Sequence, residues 1–288
     1  MKRGAALLWP LVLAVACDTP VGDLPSDASH SVLGPGLRLR DVQNPMTATA
    51  ACNGPCAGTF VDITSVVVTA IDTFDETNNG KSIGTVFVQD ADMSLPYSGI
   101  SLYEPAFIPA NLRVAPGDVV DMTNSEYTEQ HTIGSTVNFG TAFLPQMEKP
   151  PVQLSFETQV PAPVVVNLSD LLSFSPTGTS AGGRQWIGML ITLQNVTVVG
   201  APTGDGSGRV TAPITNTVNA PSINNELWNL PENYFPPGTQ FTSITGIVDY
   251  FFNIFICPRS AADLVFAPGN DAGTDAGSDD AGDAGDGG

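Results

Sequence analysis

Apolar and polar positions alternate with a period of two through most of the chain, and no stretch of ten or more residues carries a 3.6-residue apolar period. Residues 60–71, 84–89, 98–103 and 119–123 read as strands rich in Val, Ile and Thr, and a last strand of this group surrounds 131–133. Polar loops divide them: 72–82 with Asn79-Gly80 as a turn, 90–96, and a connection containing Pro105 and Pro109. A second group opens at 188–199, where Met189, Ile191 and Leu193 fall on one face and Thr192 and Gln194 on the other. A Gly-rich hairpin at 203–209 and strand runs within 241–250 and 252–266 complete it. The two groups align loosely. Pro116-Gly117-Asp118 and Pro237-Gly238-Thr239 each introduce a Val/Ile/Thr strand leading to an aromatic residue, Tyr127 or Tyr250, which predicts tandem modules of similar topology. Gly117 and Gly238, each after Pro, suit position i+2 of a type II turn.

The ends of the chain break this grammar. Residues 1–16 carry Lys2 and Arg3, then an apolar run from Ala5 to Ala16, as a secretory signal does. As a helix that run spans about 18 Å, too short for a bilayer core of about 30 Å, and Pro10 interrupts it. It ends in Leu13-Ala14-Val15-Ala16-Cys17, which resembles the lipobox of bacterial lipoproteins, with Ala14 where Leu is usual. The resemblance implies that Cys17 is acylated and becomes the new N-terminus, anchoring an exported protein of the cell envelope to a membrane. Residues 17–45 then read as a lipidated flexible tether. Residues 46–140 form a first module, 141–185 a connecting segment broken by Pro150, Pro151, Pro161 and Pro163, and 186–266 a second module. Within the connection, 164–172 reads as one strand plus a short helical turn capped by Ser169. The tail, 267–288, contains six Asp and no apolar residue larger than Ala from 269 onwards, and reads as disordered.

The expected fold class is all-β: two tandem barrel modules between a disordered tether and a disordered acidic tail. Residues 85–90, ending in Gln89-Asp90, the Ser98-Gly99-Ile100 strand and the Gly117-Asp118 turn resemble the OB-like modules that accompany secreted bacterial nucleases and other surface proteins. Residues 186–190, 241–246 and 258–264 resemble the module that follows in such architectures. The resemblance covers about 58–266 and implies a five-stranded OB-like barrel in each half. The nuclease domain of those proteins has no counterpart here.

Charge narrows the functions. The formal net charge is −19, and ten Lys and Arg less Lys2 and Arg3 leave eight scattered bases, of which only Arg38 and Arg40 lie close together. Nucleic-acid affinity rests on clustered bases that release counterions, so binding of nucleic acid is not expected. Cys52 and Cys56 frame Asn-Gly-Pro turn chemistry, and an exported chain meets an oxidising compartment. A disulfide, free thiols and a two-Cys metal site are the readings, the last short of ligands because only His30 and His131 are present. Cys257, in an apolar strand, reads as a buried inert thiol. Asp90 and Asp92 are candidate Ca²⁺ ligands, with turn capping as the plainer reading. No other cofactor is implied. His131 is the single His of the folded region, and no Gly-x-Ser-x-Gly elbow accompanies it, so no enzyme is expected. OB-type surfaces stack bases or sugars on aromatic rings. Trp228, Tyr234, Tyr103 and Tyr127 are therefore the candidate ligand-binding residues, although each also suits strand packing. The expected function is a non-enzymatic envelope lipoprotein presenting OB-like modules to a protein or glycan partner. An accessory nucleic-acid-binding role in a nuclease system is the alternative.

Overall fold

A computed structural model of the 288-residue chain describes residues 36–53, 56–73, 84–91, 95–130, 132–133, 137–138, 144–172, 183–204, 208–215, 221–228, 235–250 and 253–269. The fold is all-β, and its first half is a closed five-stranded barrel. The barrel is made by β1 (Thr59–Ile71), β2 (Val86–Asp90), β3 (Gly99–Tyr103), β5 (Asp118–Gln130) and β8 (Leu144–Glu148). Their order is β1-β2-β3-β8-β5, and β5 returns to β1. Only β3 and β8 run parallel. This is the strand order of an OB barrel. Closure comes from the length of β1, whose Thr59–Val67 segment pairs with β5 while Val66–Ile71 pairs with β2. Ser65, at φ 59, sits at the irregularity that bends the strand between its two partners.

The chain does not stop at β8. Lys149 (φ 47) and Pro150 turn it, and β9 (Pro151–Glu157) continues along the other half of β5, with β4 (Ala106–Ile108) parallel beside it. A separate ladder joins β6 (Thr132–Ile133) and β7 (Val137–Asn138). Residues 144–157, expected as part of the connecting segment, thus belong to the first sheet. Pro150 sits at the turn and Pro151 at the first residue of a strand, where a missing N–H costs the ladder least, while Pro145 lies one residue inside β8 opposite Glu129.

The second sheet holds β10 (Val164–Val166), β11 (Leu190–Thr197), β12 (Thr203–Gly204), β13 (Val210–Pro213), β14 (Ser222–Asn224), β15 (Gln240–Tyr250), β16 (Ile254–Cys257) and β17 (Leu264–Phe266). Its order is β10-β11-β15-β16-β14-β13-β12, with β17 also on β15. The β14–β16 pair is parallel, as β3–β8 is in the first half. The end of β11 meets β13 again through the Val199 N–H bond to the Pro213 carbonyl, 2.9 Å.

The repetition anticipated from the two Pro-Gly turns extends to single hydrogen bonds. Gly117 N–H donates to the Val68 carbonyl and Gly238 N–H to the Val198 carbonyl. Both glycines have positive φ, 104° and 92°, as the turn requires. Thr158 N–H donates to Gly117 O, and Ala267 N–H to Gln240 O, so β9 and β17 occupy equivalent places on the long strands β5 and β15. Leu37 makes a parallel bridge to Ile63 of β1, as β10 does to β11. Each lead-in strand is followed by a short helix, α1 (Leu39–Gln43) in the first half and α3 (Leu168–Leu172) in the second. In α3, Asn167 precedes the helix and its carbonyl accepts from Asp170 N–H, so Ser169 lies inside the first turn instead of capping it.

The lead-in also revises the expected tether. Residues 36–45 lie on the first barrel: Leu39 and Val42 of α1 are buried in its core. A five-residue helix has little stability of its own. Here Asp90, at the end of β2, accepts from Leu39 N–H (2.9 Å) and Arg40 N–H (3.2 Å) and so satisfies two donors of the first turn. A second short helix, α2 (Ala48–Cys52), ends in the Cys52–Cys56 disulfide, with Asn53 in the left-handed region between them.

Candidate functional site

OB barrels take oligonucleotides and oligosaccharides on the face of strands two and three. Here β2 is buried along its whole length and β3 up to Tyr103, their inward residues in the first core and part of their outward face against the second sheet. Ala70 and Phe87 of the first barrel pack on Leu190 and Ile247 of the second, flanked by Val160 and Leu227. The buried Gln89 amide oxygen accepts from Leu190 N–H at 3.2 Å. Backbone meets backbone at Gly99 and Gly188: a Cβ on Gly99 would lie 2.6 Å from the Gly188 carbonyl carbon.

A polar lock closes the same junction. Arg184, 8% exposed, donates to the Gln43 carbonyl (3.4 Å), to the Tyr127 hydroxyl (3.2 Å) and to Glu129. Tyr127 also donates to Glu129 (3.1 Å). Burial pushes the Tyr127 hydroxyl up, well beyond the ordinary tyrosine range. Burial opposes the Arg184 charge, but Tyr127 and Glu129 outweigh it and raise its pKa. Gln43 in turn donates to the carbonyls of Tyr97 and Gly99.

A second ionisable cluster lies in the second sheet. Arg209 holds Glu226 through two bonds, 2.9 and 3.3 Å. The partly buried Asp249 beside it is raised well above the usual carboxyl range, first by burial and then by Glu226. Cys257 is a buried free thiol, raised by burial and by the same carboxylates. Arg209 pairs with Glu226 and acts against the rise at Asp249.

The exposed face of the second sheet has a different character. Val165, Thr192 and Thr245 stand in register across β10, β11 and β15, and Gln194, Ser243 and Val265 across β11, β15 and β17. Thr192 and Thr245 share a hydroxyl hydrogen bond of 2.7 Å. Val165 and Val265 are 61% and 48% exposed. None of these six residues is charged, on a chain of net charge −19. The face begins where the covered Leu190–Ile247 row ends, and it offers neutral donors and acceptors between two apolar side chains.

The sequence candidates distribute unevenly. Tyr127 lies in the first core and its hydroxyl is engaged, so it offers no ring to a ligand; an inward strand position and an outward one look alike in a Tyr of mixed neighbours. Trp228 packs partly buried against the second core. Tyr103 is half-buried at the end of β3. Asp90 is fully buried with both oxygens accepting α1 amides, the capping role that was its plainer reading. Cys52 and Cys56 form the disulfide. Cys17, Tyr234, Asp92 and His131 lie outside the described residues. Arg184 and Glu129 went unmarked by sequence reasoning. A single Arg in a Gly-rich connection carries no pattern, and only the fold brings it to β5. No protein-family model and no curated protein sequence matches the chain.

Proposed function

We propose that this chain is a non-enzymatic cell-envelope lipoprotein that presents a pair of OB-like units to a protein or glycan partner. The observation that carries the reading is the covered β2–β3 face. An isolated OB barrel would offer that face to a ligand, and here it is spent on joining the barrels, with two glycines in backbone contact. Recognition then falls to surfaces other than the usual one. The uncharged face of the second sheet suits it, because a neutral or acidic partner can approach there without meeting like charge. A polyhydroxyl chain or a polypeptide would find hydroxyl and amide groups in Thr192, Thr245, Gln194 and Ser243.

Acylation of Cys17 would place this face near an envelope surface, and tethering raises the local concentration of a weakly held ligand. The accessory nucleic-acid role needs the covered face and a basic track, and the chain is strongly acidic. Metabolic labelling with a fatty acid tests the anchor: the label and the membrane fraction are both lost in Cys17→Ser. Pelleting with purified envelope glycan tests the display. Thr192→Asp and Val165→Asp lower the bound fraction at unchanged thermal stability, and binding untouched by both removes this face from the reading.

A further inference from the structure

We infer that the N-terminal end of the first barrel rests on the lipid surface that carries Cys17, with Phe60 as the contact. The inference builds on the lipoprotein reading. An open groove of about 620 Å³ runs beside the first residues of β1 and is lined by Leu37, Ala51, Cys52, Phe60, Val61 and Asp62, among others. Phe60 is 62% exposed at its rim. Met46, in the turn leading into α2, is 89% exposed. Exposed aromatic and thioether side chains cost little in water singly, but at a bilayer interface they are favoured.

The position of the groove selects its occupant. Gly36, the first described residue, is itself part of the lining. From Cys17 to Gly36 the chain has 19 peptide units, which reach no more than about 65 Å at full extension. An anchor at Cys17 therefore keeps this end of the molecule within that reach of the lipid and makes even a weak contact intramolecular. Charge at this end is mixed: Glu126 stands opposite Phe60 on β5, with Glu148 beyond it on β8. The one close pair of bases on the mature chain, Arg38 and Arg40, follows the groove directly, and both are partly exposed. Asp62, the carboxylate in the lining, accepts from Asn124 N–H at 2.8 Å and so is partly satisfied within the barrel.

The test uses the acylated full-length mature protein on phosphatidylethanolamine–phosphatidylglycerol vesicles, with and without brominated acyl chains. Flotation reports the anchor. Phe60→Trp reports the contact, against the emission of the unsubstituted protein, and Val165→Trp on the second sheet serves as the distant probe. The added emission of Phe60→Trp falls by about half in brominated vesicles, as for an interfacial side chain, and that of Val165→Trp stays unchanged. A protein that floats without quenching of Phe60→Trp overturns the contact and leaves the anchor standing. Equal quenching of both probes also overturns it, because the molecule would then lie on its side. Blue-shifted Phe60→Trp emission before vesicles are added would mean that the chain's own residues fill the groove, and would overturn it as well. Failure to float removes the anchor and the contact together.

Discussion

If the two barrels are joined where backbone touches backbone, three Gly→Ala substitutions must rank in a fixed order. Gly238 has φ +92 and nothing within 4 Å of an added Cβ, so its variant meets left-handed strain alone. Gly99 has no such φ, but its Cβ would sit 2.6 Å from Gly188 backbone atoms, so its variant meets the clash alone. Gly188 combines φ +81 with a Cβ 2.5 Å from the Ile100 nitrogen and meets both. Strain costs roughly 1–2 kcal/mol, and overpacking roughly 1–3 kcal/mol. Alanine returns about 0.4–1 kcal/mol by stiffening the unfolded chain. At the middle of these ranges the net losses are about 0.8 kcal/mol for Gly238→Ala, about 1.3 for Gly99→Ala and about 2.8 for Gly188→Ala. Guanidinium unfolding of the full chain measures them, and at about 2–4 °C per kcal/mol Gly188→Ala melts roughly 6–11 °C lower. Equal losses in Gly188→Ala and Gly238→Ala would refute the close approach, since only the first variant pushes against the other barrel.

Three further outcomes follow from the buried polar groups. Asp249 is raised in the folded state, so folding takes up a proton and stability falls as pH rises above the unfolded carboxyl range. Asp249→Asn flattens that decline and is more stable than the parent at pH 8 but not at pH 4, read from denaturant midpoints; a parallel pair of curves would be inconsistent with the buried proton. Arg184→Met costs about 3–5 kcal/mol, because Glu129 and Tyr127 lose their shared partner in a buried setting. Adding Glu129→Gln restores part of that loss, and strictly additive losses would deny the coupling. Asp90→Ala costs about 1–3 kcal/mol by orphaning two amides. Hydrogen exchange at 39–43 rises first, whereas uniform acceleration across the first barrel would place the loss elsewhere.

The strands were legible because most have one face in a core and the other facing out, which writes a period of two into the residues. Residues 188–199 are the clearest case: Ile191 and Leu193 point into the core, with Thr192 and Gln194 outside. The two Pro-Gly turns were legible because their conformation restricts residue choice. Strands β8 and β9 hid among prolines, which look like breakers unless the partner strand is known. Helix α1 was missed for a related reason: five residues are too few for a period, and its cap is supplied by Asp90. The covered β2–β3 face left one trace, the unbroken apolar character of Val86-Phe87-Val88, which resembles any buried strand. The junction lock had none, since Arg184, Glu129 and Gln43 are individually ordinary.

The cap on α1 bears on how the chain assembles. The acceptor for Leu39 N–H stands 51 positions later, so this helix, although Leu37 before it can already pair with the first strand, has its cap only when the second strand of the barrel has arrived. Two donors of its first turn thereby stay open through early synthesis and are fastened down only once the wall behind them stands.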